Sequence, residues 1–334
     1  MYYKRDKSKE MSQTLREMIG QATQVVIAGH EMADNDSLGA SFGLARAAVC
    51  SGKKAWIIID EYNQALERLL KVYPSEDFPG NMIKVREAEA KMDDRTLLLI
   101  VDTHKPSLLP SKKLPELAAQ TVIIDHHRRS EEIIPASLIH LDDQASSASE
   151  LVAELLRHLG RQVSLAPAEA TALLAGITVD TKYFMLQTRA RTFGAAAWLR
   201  RRGADPAVVR MLLSDDTATA IKKAEVIRNM KILYGKIAFG SYPEKTHDAQ
   251  LMAAKTADSM LNIGNISASF VLWPYDEGVA VSARSNGEIN VLEIMEELGG
   301  GGHYNVAAAR VDASLAAVEE RLRQVLENRF YAKV

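Results

Sequence analysis

His30, Asp34 and Asp36 stand within seven residues of one another in the segment Gly29-His-Glu-Met-Ala-Asp-Asn-Asp-Ser-Leu-Gly39. By themselves, two aspartates and a histidine in a polar loop need do no more than turn the chain and cap a helix. Similar groups recur, however. The apolar run Leu97–Val101 leads directly into Asp102-Thr103-His104, and Val122–Ile124 leads into Asp125-His126-His127-Arg128-Arg129. A fourth apolar stretch, 167–179, ends in Asp180, a carboxylate that needs a partner in such surroundings. Carboxylates and imidazoles without thiolates suit octahedral Mn²⁺ or similar divalent ions, and suit Zn²⁺ less well when oxygens predominate. Four aspartates and two histidines could hold two ions about 4 Å apart if one carboxylate bridges them, the arrangement used for in-line displacement at phosphorus. The chemistry implied is phosphoester hydrolysis, with hydroxide made from bound water and charge on the phosphoryl oxygens neutralised. The spacing does not say which histidine of the pair His126 and His127 is a ligand.

The elements that carry these groups follow from hydropathy. Val25–Ala28 reads as a strand ending at Gly29, and Ser37–Cys50 as a packed helix of small and apolar residues. Further strands are expected at 55–59, 96–101 and 121–124, with helices at 146–159, 167–179 and 192–202. This alternation predicts an α/β fold with a mostly parallel sheet flanked by helices. Three of its strands deliver acidic or imidazole groups to the carboxyl edge, where such sheets bind ligands. Past a short helix ending at Leu213, Ser214-Asp215-Asp216 could cap a new helix. Strands are then expected at 232–241, 267–273 and 279–284, and helices at 249–261 and 315–326, which make a second, smaller α/β domain. The expected organisation is a polar tail or linker remnant at 1–12, a catalytic domain at 13–205, a linker region at 206–220 and the second domain at 221–334.

Composition narrows the classes. A chain of 334 residues exceeds the usual single core, and 47% hydrophobic with 25% charged residues is ordinary for a globular protein. Lys and Arg number 41 against 43 Asp and Glu, a net charge of −2, which argues against a broad grip on long nucleic acid but not against a small phosphate ligand. Cys50 is the only cysteine, so an intramolecular disulfide and a thiolate zinc site are both excluded. No apolar run approaches the roughly 18 residues that would cross a bilayer, and the polar N-terminus lacks the pattern of a secretory signal.

The motifs together resemble the DHH phosphoesterases, a family named after the triplet present here as Asp125-His126-His127. Its first motif, His-x-x-x-Asp-x-Asp, stands at His30–Asp36, its second at Asp102-Thr103-His104, and its last metal-binding aspartate at Asp180. Gly299-Gly300-Gly301-Gly302-His303 followed by Ala307-Ala308-Ala309 resembles the signature of the accompanying DHHA1 domain. The resemblance implies one ion on His30, Asp34 and Asp102 and the other on Asp36, Asp102, His126 and Asp180, with Asp102 as the bridge. It implies that His127 faces the scissile phosphate with Arg128 as a second contact, and that the active site lies in a cleft between the domains. Ser282, Arg284 and Ser285, with Gly300, Gly301, Gly302 and His303, are the expected substrate contacts. Arg suits phosphate, and successive glycine amides can form an anion-binding nest, although glycines also end helices.

Within the family, Asp102–Pro106, Asp125–Arg129, Ser282–Ser285 and Asn290–His303 are most similar to GdpP-type cyclic di-AMP phosphodiesterases. The departure is Met32-Ala33-Asp34-Asn35, where those proteins more often have Phe-Pro-Asp-Met. Full-length GdpP proteins carry membrane helices, a PAS-like sensor and a degenerate GGDEF domain ahead of this unit, so the chain resembles their catalytic part or a free-standing relative. The implied partners are cyclic di-AMP and pApA, a homodimer is compatible, and the implied location is the cytoplasm or the cytoplasmic side of a membrane-anchored parent. The alternatives are a nanoRNase or pAp phosphatase of the same family and, from another class, an inactive nucleotide receptor. His140, His158 and His247 lie outside the clusters and are expected at the surface or in caps. His104 could serve to orient a neighbouring ligand.

Overall fold

The computed structural model describes residues 7–160, 163–245 and 249–330. His247 lies outside the described residues. The chain divides after Ser214 into two units, each with its own core.

The first unit runs α1 (Lys7–Gln21), β1 (Gln24–Ala28), α2 (Asn35–Cys50), β2 (Lys54–Ile58), α3 (Gln64–Val72), β3 (Asn81–Ile83), α4 (Val85–Lys91), β4 (Thr96–Val101), α5 (Leu114–Leu117), β5 (Gln120–Asp125), β6 (Leu138–Leu141), α6 (Ala148–Leu159), α7 (Pro167–Asp180), α8 (Ala190–Arg201) and α9 (Pro206–Leu213). Its sheet has the order β3-β2-β1-β4-β5-β6 with every pairing parallel. The central strands β1 and β4 are buried on both faces, which is why they read as unbroken apolar runs without alternation. The order reverses between β1 and β4. Connections from these two strands leave on opposite sides of the sheet and open a crevice at their carboxyl ends.

The helices behind that crevice pack at backbone distance. A Cβ at Gly39 of α2 would lie 2.6 Å from the carbonyl oxygen of Ala172 in α7, so only glycine fits. One turn on, a Cβ at Gly43 would lie 2.9 Å from Val152 Cγ1 of α6 and 3.2 Å from Leu173 Cδ1 of α7, while Ala40, Ser41 and Ala45 are buried and Phe42 stacks on Phe78 with ring centroids 4.2 Å apart. At the N-terminus, residues 7–12 are not a tail. They form the first turns of α1, where Ser12 Oγ donates to Leu155 O of α6 and Leu15 and Ile19 are buried. The polar opening of this helix hid its apolar face from the sequence reading. Within 206–220, Pro206–Leu213 is helix α9 with Val209 and Leu212 buried, so little of that stretch is linker.

The second unit runs α10 (Thr217–Arg228), β7 (Lys231–Leu233), β8 (Ile237–Ser241), α11 (Ala249–Leu261), β9 (Ala268–Tyr275), β10 (Gly278–Ser285), α12 (Val291–Glu297), β11 (Gly301–Gly302), β12 (Val306–Val311) and α13 (Leu315–Phe330). Its sheet, β11-β12-β10-β9-β8-β7, is mixed, with only β8 and β9 parallel. One face packs Phe270, Val281 and Leu322, the other Ala253, Met260 and Trp273. The single strand expected at 232–241 is a hairpin, because Tyr234 and Gly235 take positive φ of 52° and 70° and reverse the chain. Asp216 caps α10 by accepting from Thr219 N, and Asp215 pairs with both Lys223 and Lys255, which ties α10 to α11.

Gly39→Ala should therefore force α2 and α7 apart and lower stability by about 1–3 kcal/mol. Gly194→Ala in α8, where a Cβ meets nothing within 4 Å, should be neutral or stabilise by up to about 1 kcal/mol. Urea unfolding of both variants decides, and a Gly39→Ala protein as stable as the parent would sink the close-packing account.

Candidate metal centre

The crevice collects the residues singled out in the sequence. Asp102 follows β4 directly and sits at φ 61°, a left-handed conformation that aspartate tolerates better than most residues and that is uncommon outside glycine. Its amide donates to Ile124 O of β5 at 3.0 Å, so the strained residue is held by the neighbouring strand. The buried carboxylate turns its two oxygens to different partners. Oδ2 lies 3.4 Å from His30 Nε2, and Oδ1 lies 3.5 Å from His126 Nε2. Both distances are long for hydrogen bonds.

On one side, His30, Asp34 and Asp102 offer ligand atoms within 4.8 Å of one another. On the other, Asp36, His126 and Asp180 do the same, with His126 Nε2 3.3 Å from Asp180 Oδ2 and 3.9 Å from Asp36 Oδ2. A third group of this kind, Asp102, Asp125, His126 and His127, overlaps both. The expected ligands thus gather around Asp102, and the donor set of oxygens and imidazole nitrogens fits hard divalent cations.

Local structure explains each placement. Asp34 is the N-cap of α2, its Oδ1 accepting from the amides of Asp36 and Ser37, so the capping role and the site role coexist. Asp36 lies in the first turn of α2 and also faces the start of α6, where Ala148 N and Ser149 N donate to its two oxygens at 2.7 and 2.8 Å. Two helix N-termini therefore favour its charge. Gly176 of α7 lets this happen, since a Cβ there would lie 2.7 Å from Asp36 Oδ1. Asp180 ends α7, where the helix dipole is unfavourable to a carboxylate.

The titration of these groups reflects the crowding of negative charge. Burial and the neighbouring Asp102 push Asp36 up to about 7, and burial with Asp36 and Asp34 pushes Asp180 up as well. Burial would lower His30, but Asp102 and Asp34 outweigh it and raise the imidazole to about 10; His126 is likewise raised to about 9 by Asp102, Asp36 and Asp180.

The remaining expected residues are placed as follows. His127 is more than half exposed, and its Nδ1 lies 2.7 Å from Asp125 Oδ1. Arg128 is exposed on the loop after β5. Ser282, Arg284 and Ser285 lie on β10 in the second unit. Arg284 faces Asp258 at 3.3 Å, and Ser285 Oγ accepts from the amides of Gly287 and Ile289, so it builds the following turn. The glycine run is not a continuous nest. The amides of Gly299, Gly300 and His303 donate to Glu296, Met295 and Val306, while Gly301 and Gly302 form the edge strand β11 against Ala308 and Ala307. Positive φ falls on Gly299 and Gly302, and a Cβ at Gly300 or Gly302 would meet a β12 carbonyl oxygen within 2.1 or 2.5 Å. Gly301 faces open space. His303 is exposed and closes the hairpin to β12.

Sequence reasoning gave no role to Asp125 or to the amides opening α6. Backbone donors carry no residue-type signal, although Ser146-Ser147-Ala148-Ser149 marks a helix start. His140, expected at the surface or in a cap, is buried on β6, whereas His158 is exposed in the last turn of α6.

The DHH family, N-terminal domain, matches residues 24–177, and the DHHA1 domain matches residues 229–331. The chain is 40% identical over 332 residues to cyclic-di-AMP phosphodiesterase GdpP of Geobacillus thermodenitrificans, covering 98% of this chain and 50% of that one. It thus spans about half the length of that relative. It is 25% identical over 314 residues to the bifunctional oligoribonuclease and PAP phosphatase NrnA of Thermus thermophilus, covering 92% of this chain and 91% of that one. The crystal structure of an exopolyphosphatase-related protein from Bacteroides fragilis shares the fold, with a TM-score of 0.81 at 19% identity and 98% of each chain covered.

Divalent ions entering this centre must displace protons. His30 and His126, raised to about 10 and 9, hold theirs at pH 7.5 and must give them up to become ligands. Loading with Mn²⁺ at pH 7.5 should release protons, and affinity should rise with pH up to about 10 and fall as pH drops. Calorimetry in buffers of different ionisation enthalpy reads the release; pH-independent binding without proton release would overturn the raised pKa of His30 and His126.

Proposed function

The chain belongs to the DHH family, with a DHHA1 domain as its second unit, and from that membership we propose that it hydrolyses cyclic di-AMP to 5′-pApA with two divalent ions, Mn²⁺ being the expected metal. The observation that supports this reading is Asp102, whose two oxygens turn to His30 and His126, one histidine from each ligand group. His30, Asp34 and Asp102 would hold one ion, and Asp36, Asp102, His126 and Asp180 the other. When bound, the ions supply hydroxide from water at neutral pH and neutralise charge on the phosphoryl oxygens.

The chain's own residues do the positioning. Asp102 fixes the spacing of the two ligand groups from a strained but strand-anchored backbone. Asp36 is held by the amides of α6, and His127 stands beside both groups, exposed for contact with a phosphoryl oxygen. Nucleotide recognition we assign to the second unit, at 282–285 and 300–303. Identity to the cyclic-di-AMP phosphodiesterase exceeds that to the oligoribonuclease and pAp phosphatase, while the latter is matched over nearly its whole length. Hydrolysis of short oligoribonucleotides or pAp is therefore the second reading. An inactive receptor has no need for the full ligand set found here. No described helix is long and apolar enough to cross a membrane, and we place the domain pair on the cytoplasmic side of any anchored parent.

Turnover of cyclic di-AMP, pApA and pAp, measured side by side with Mn²⁺, should be fastest for cyclic di-AMP; a clear preference for pAp would move the assignment to the second reading. Asp102→Ala should lower kcat about 100-fold or more and reduce bound metal. Near-normal turnover with two tightly held ions would remove the bridging role.

Gly301→Val separates recognition from folding, because its side chain would enter open space and leave the protein packing intact. It should keep the melting temperature and metal content but weaken cyclic di-AMP binding about tenfold or more, since a branched group would stand where the ligand is expected. Unchanged nucleotide affinity in Gly301→Val and in His303→Ala would exclude this strand from the site.

A further inference from the structure

We propose that His104 is a positioning residue for the phosphodiesterase chemistry: through Asp125 it fixes the ring of His127 beside the metal centre. The inference rests on the reading above for its reaction, but its geometry stands independently. His104 follows Asp102 by two residues and is buried, yet it joins none of the three ligand groups. Both ring nitrogens are already engaged. Ser130 N lies 2.9 Å from Nε2, and an amide can only donate, so Nε2 carries a lone pair. The ring proton is thereby assigned to Nδ1, which donates to Asp125 Oδ2.

Asp125, the last residue of β5, is fully buried, and its other oxygen accepts twice from His127, from the backbone amide at 3.1 Å and from Nδ1 at 2.7 Å. Three donors on two oxygens fix the plane of this carboxylate. With Nδ1 committed to Asp125, Nε2 is the atom of His127 left for substrate. His104 also pins the loop that carries His127, Arg128 and Arg129 from a second point, because its carbonyl accepts from Ile134 N at 3.0 Å. An exposed imidazole is thus held in one orientation by a buried one that never touches the substrate, and reactions of this kind are sensitive to such orientation.

The test combines kinetics, metal content and NMR. His104→Ala should lower kcat about 10–100-fold while KM changes less than about threefold and two ions remain bound per chain. His104→Asn, whose side-chain NH₂ can replace Nδ1–H toward Asp125, should recover most of that loss. Adding His104→Ala to Asp125→Asn should cost little more than Asp125→Asn alone, since both act through His127. Long-range ¹H–¹⁵N spectra of the Mg²⁺-loaded protein should show His104 as the Nδ1–H tautomer. An Nε2–H tautomer, an unchanged kcat in His104→Ala, loss of a metal ion, or additive losses in the double variant would each overturn the proposal. If His104→Ala does not fold, the tautomer and the Asn variant decide, and an Asn variant as impaired as Asp125→Asn counts against it. Kinetics are run on cyclic di-AMP and on bis(p-nitrophenyl) phosphate. A parent protein active only on the synthetic diester would sink the cyclic di-AMP assignment and leave the His104 test intact, whereas one inert on both would overturn the two together.

Discussion

The carboxylates of Asp34 and Asp102 lie with His30, and those of Asp36 and Asp180 with His126, in two adjacent clusters, the ligand atoms within each cluster being no more than 4.8 Å apart. At about 4 Å, two like charges repel by roughly 4 kcal/mol under the effective dielectric usual near a protein surface. A chain can hold such a cluster only if positive charge offsets the repulsion and if the framework leaves the carboxylates nowhere else to go. The raised pKa values of Asp36, His30 and His126 express the same pressure as a demand for protons, which divalent cations can meet instead. The remaining architecture of the first unit either supplies compensating partial charge or enforces proximity.

Compensation is uneven. Asp34 and Asp36 sit at the start of α2, and Asp36 also takes two amides from the start of α6, so the framework stabilises their charge before any ion binds. Asp180 ends α7 and gains nothing from its helix. Proximity comes from glycine. Gly39 brings α2 against Ala172, and Gly176 brings α7 against Asp36 and Ser149. Packing and chemistry therefore share residues: the helix contacts that make this core close-packed are those that carry Asp180 to the metal centre.

Asp125 introduces a second level of order. It belongs to the triplet that names the family, yet its oxygens are spent on His104 and His127, and through them it fixes the ring of His127. In the second unit the glycine run works by a different means than a nest of amides. Most of its N–H groups are used to end α12 and to pair with β12, and the outcome is a thin edge strand with one glycine, Gly301, facing open space. Arg284, already facing Asp258, would have to share or exchange that partner to take a phosphate.

The sequence by itself determined the strands β1, β4 and β5 and the acidic and imidazole residues at their ends, because a parallel strand buried on both faces leaves an unbroken apolar run and polar groups then follow at the carboxyl end. It also determined the family, since His30–Asp36, Asp102–His104 and Asp125–His127 are local motifs with fixed spacing. It missed α1, whose apolar face is visible only against α6, and read the β7–β8 hairpin as one strand because nothing in Tyr234 announces a positive φ. Only the tertiary structure decided that Asp102 turns one oxygen to each histidine, that α6 amides 112 and 113 positions away secure Asp36, and that His104 reaches His127 through Asp125. Those facts depend on directions in space between segments far apart in the chain, and spacing along one sequence encodes which groups are present, not which way their lone pairs and protons point.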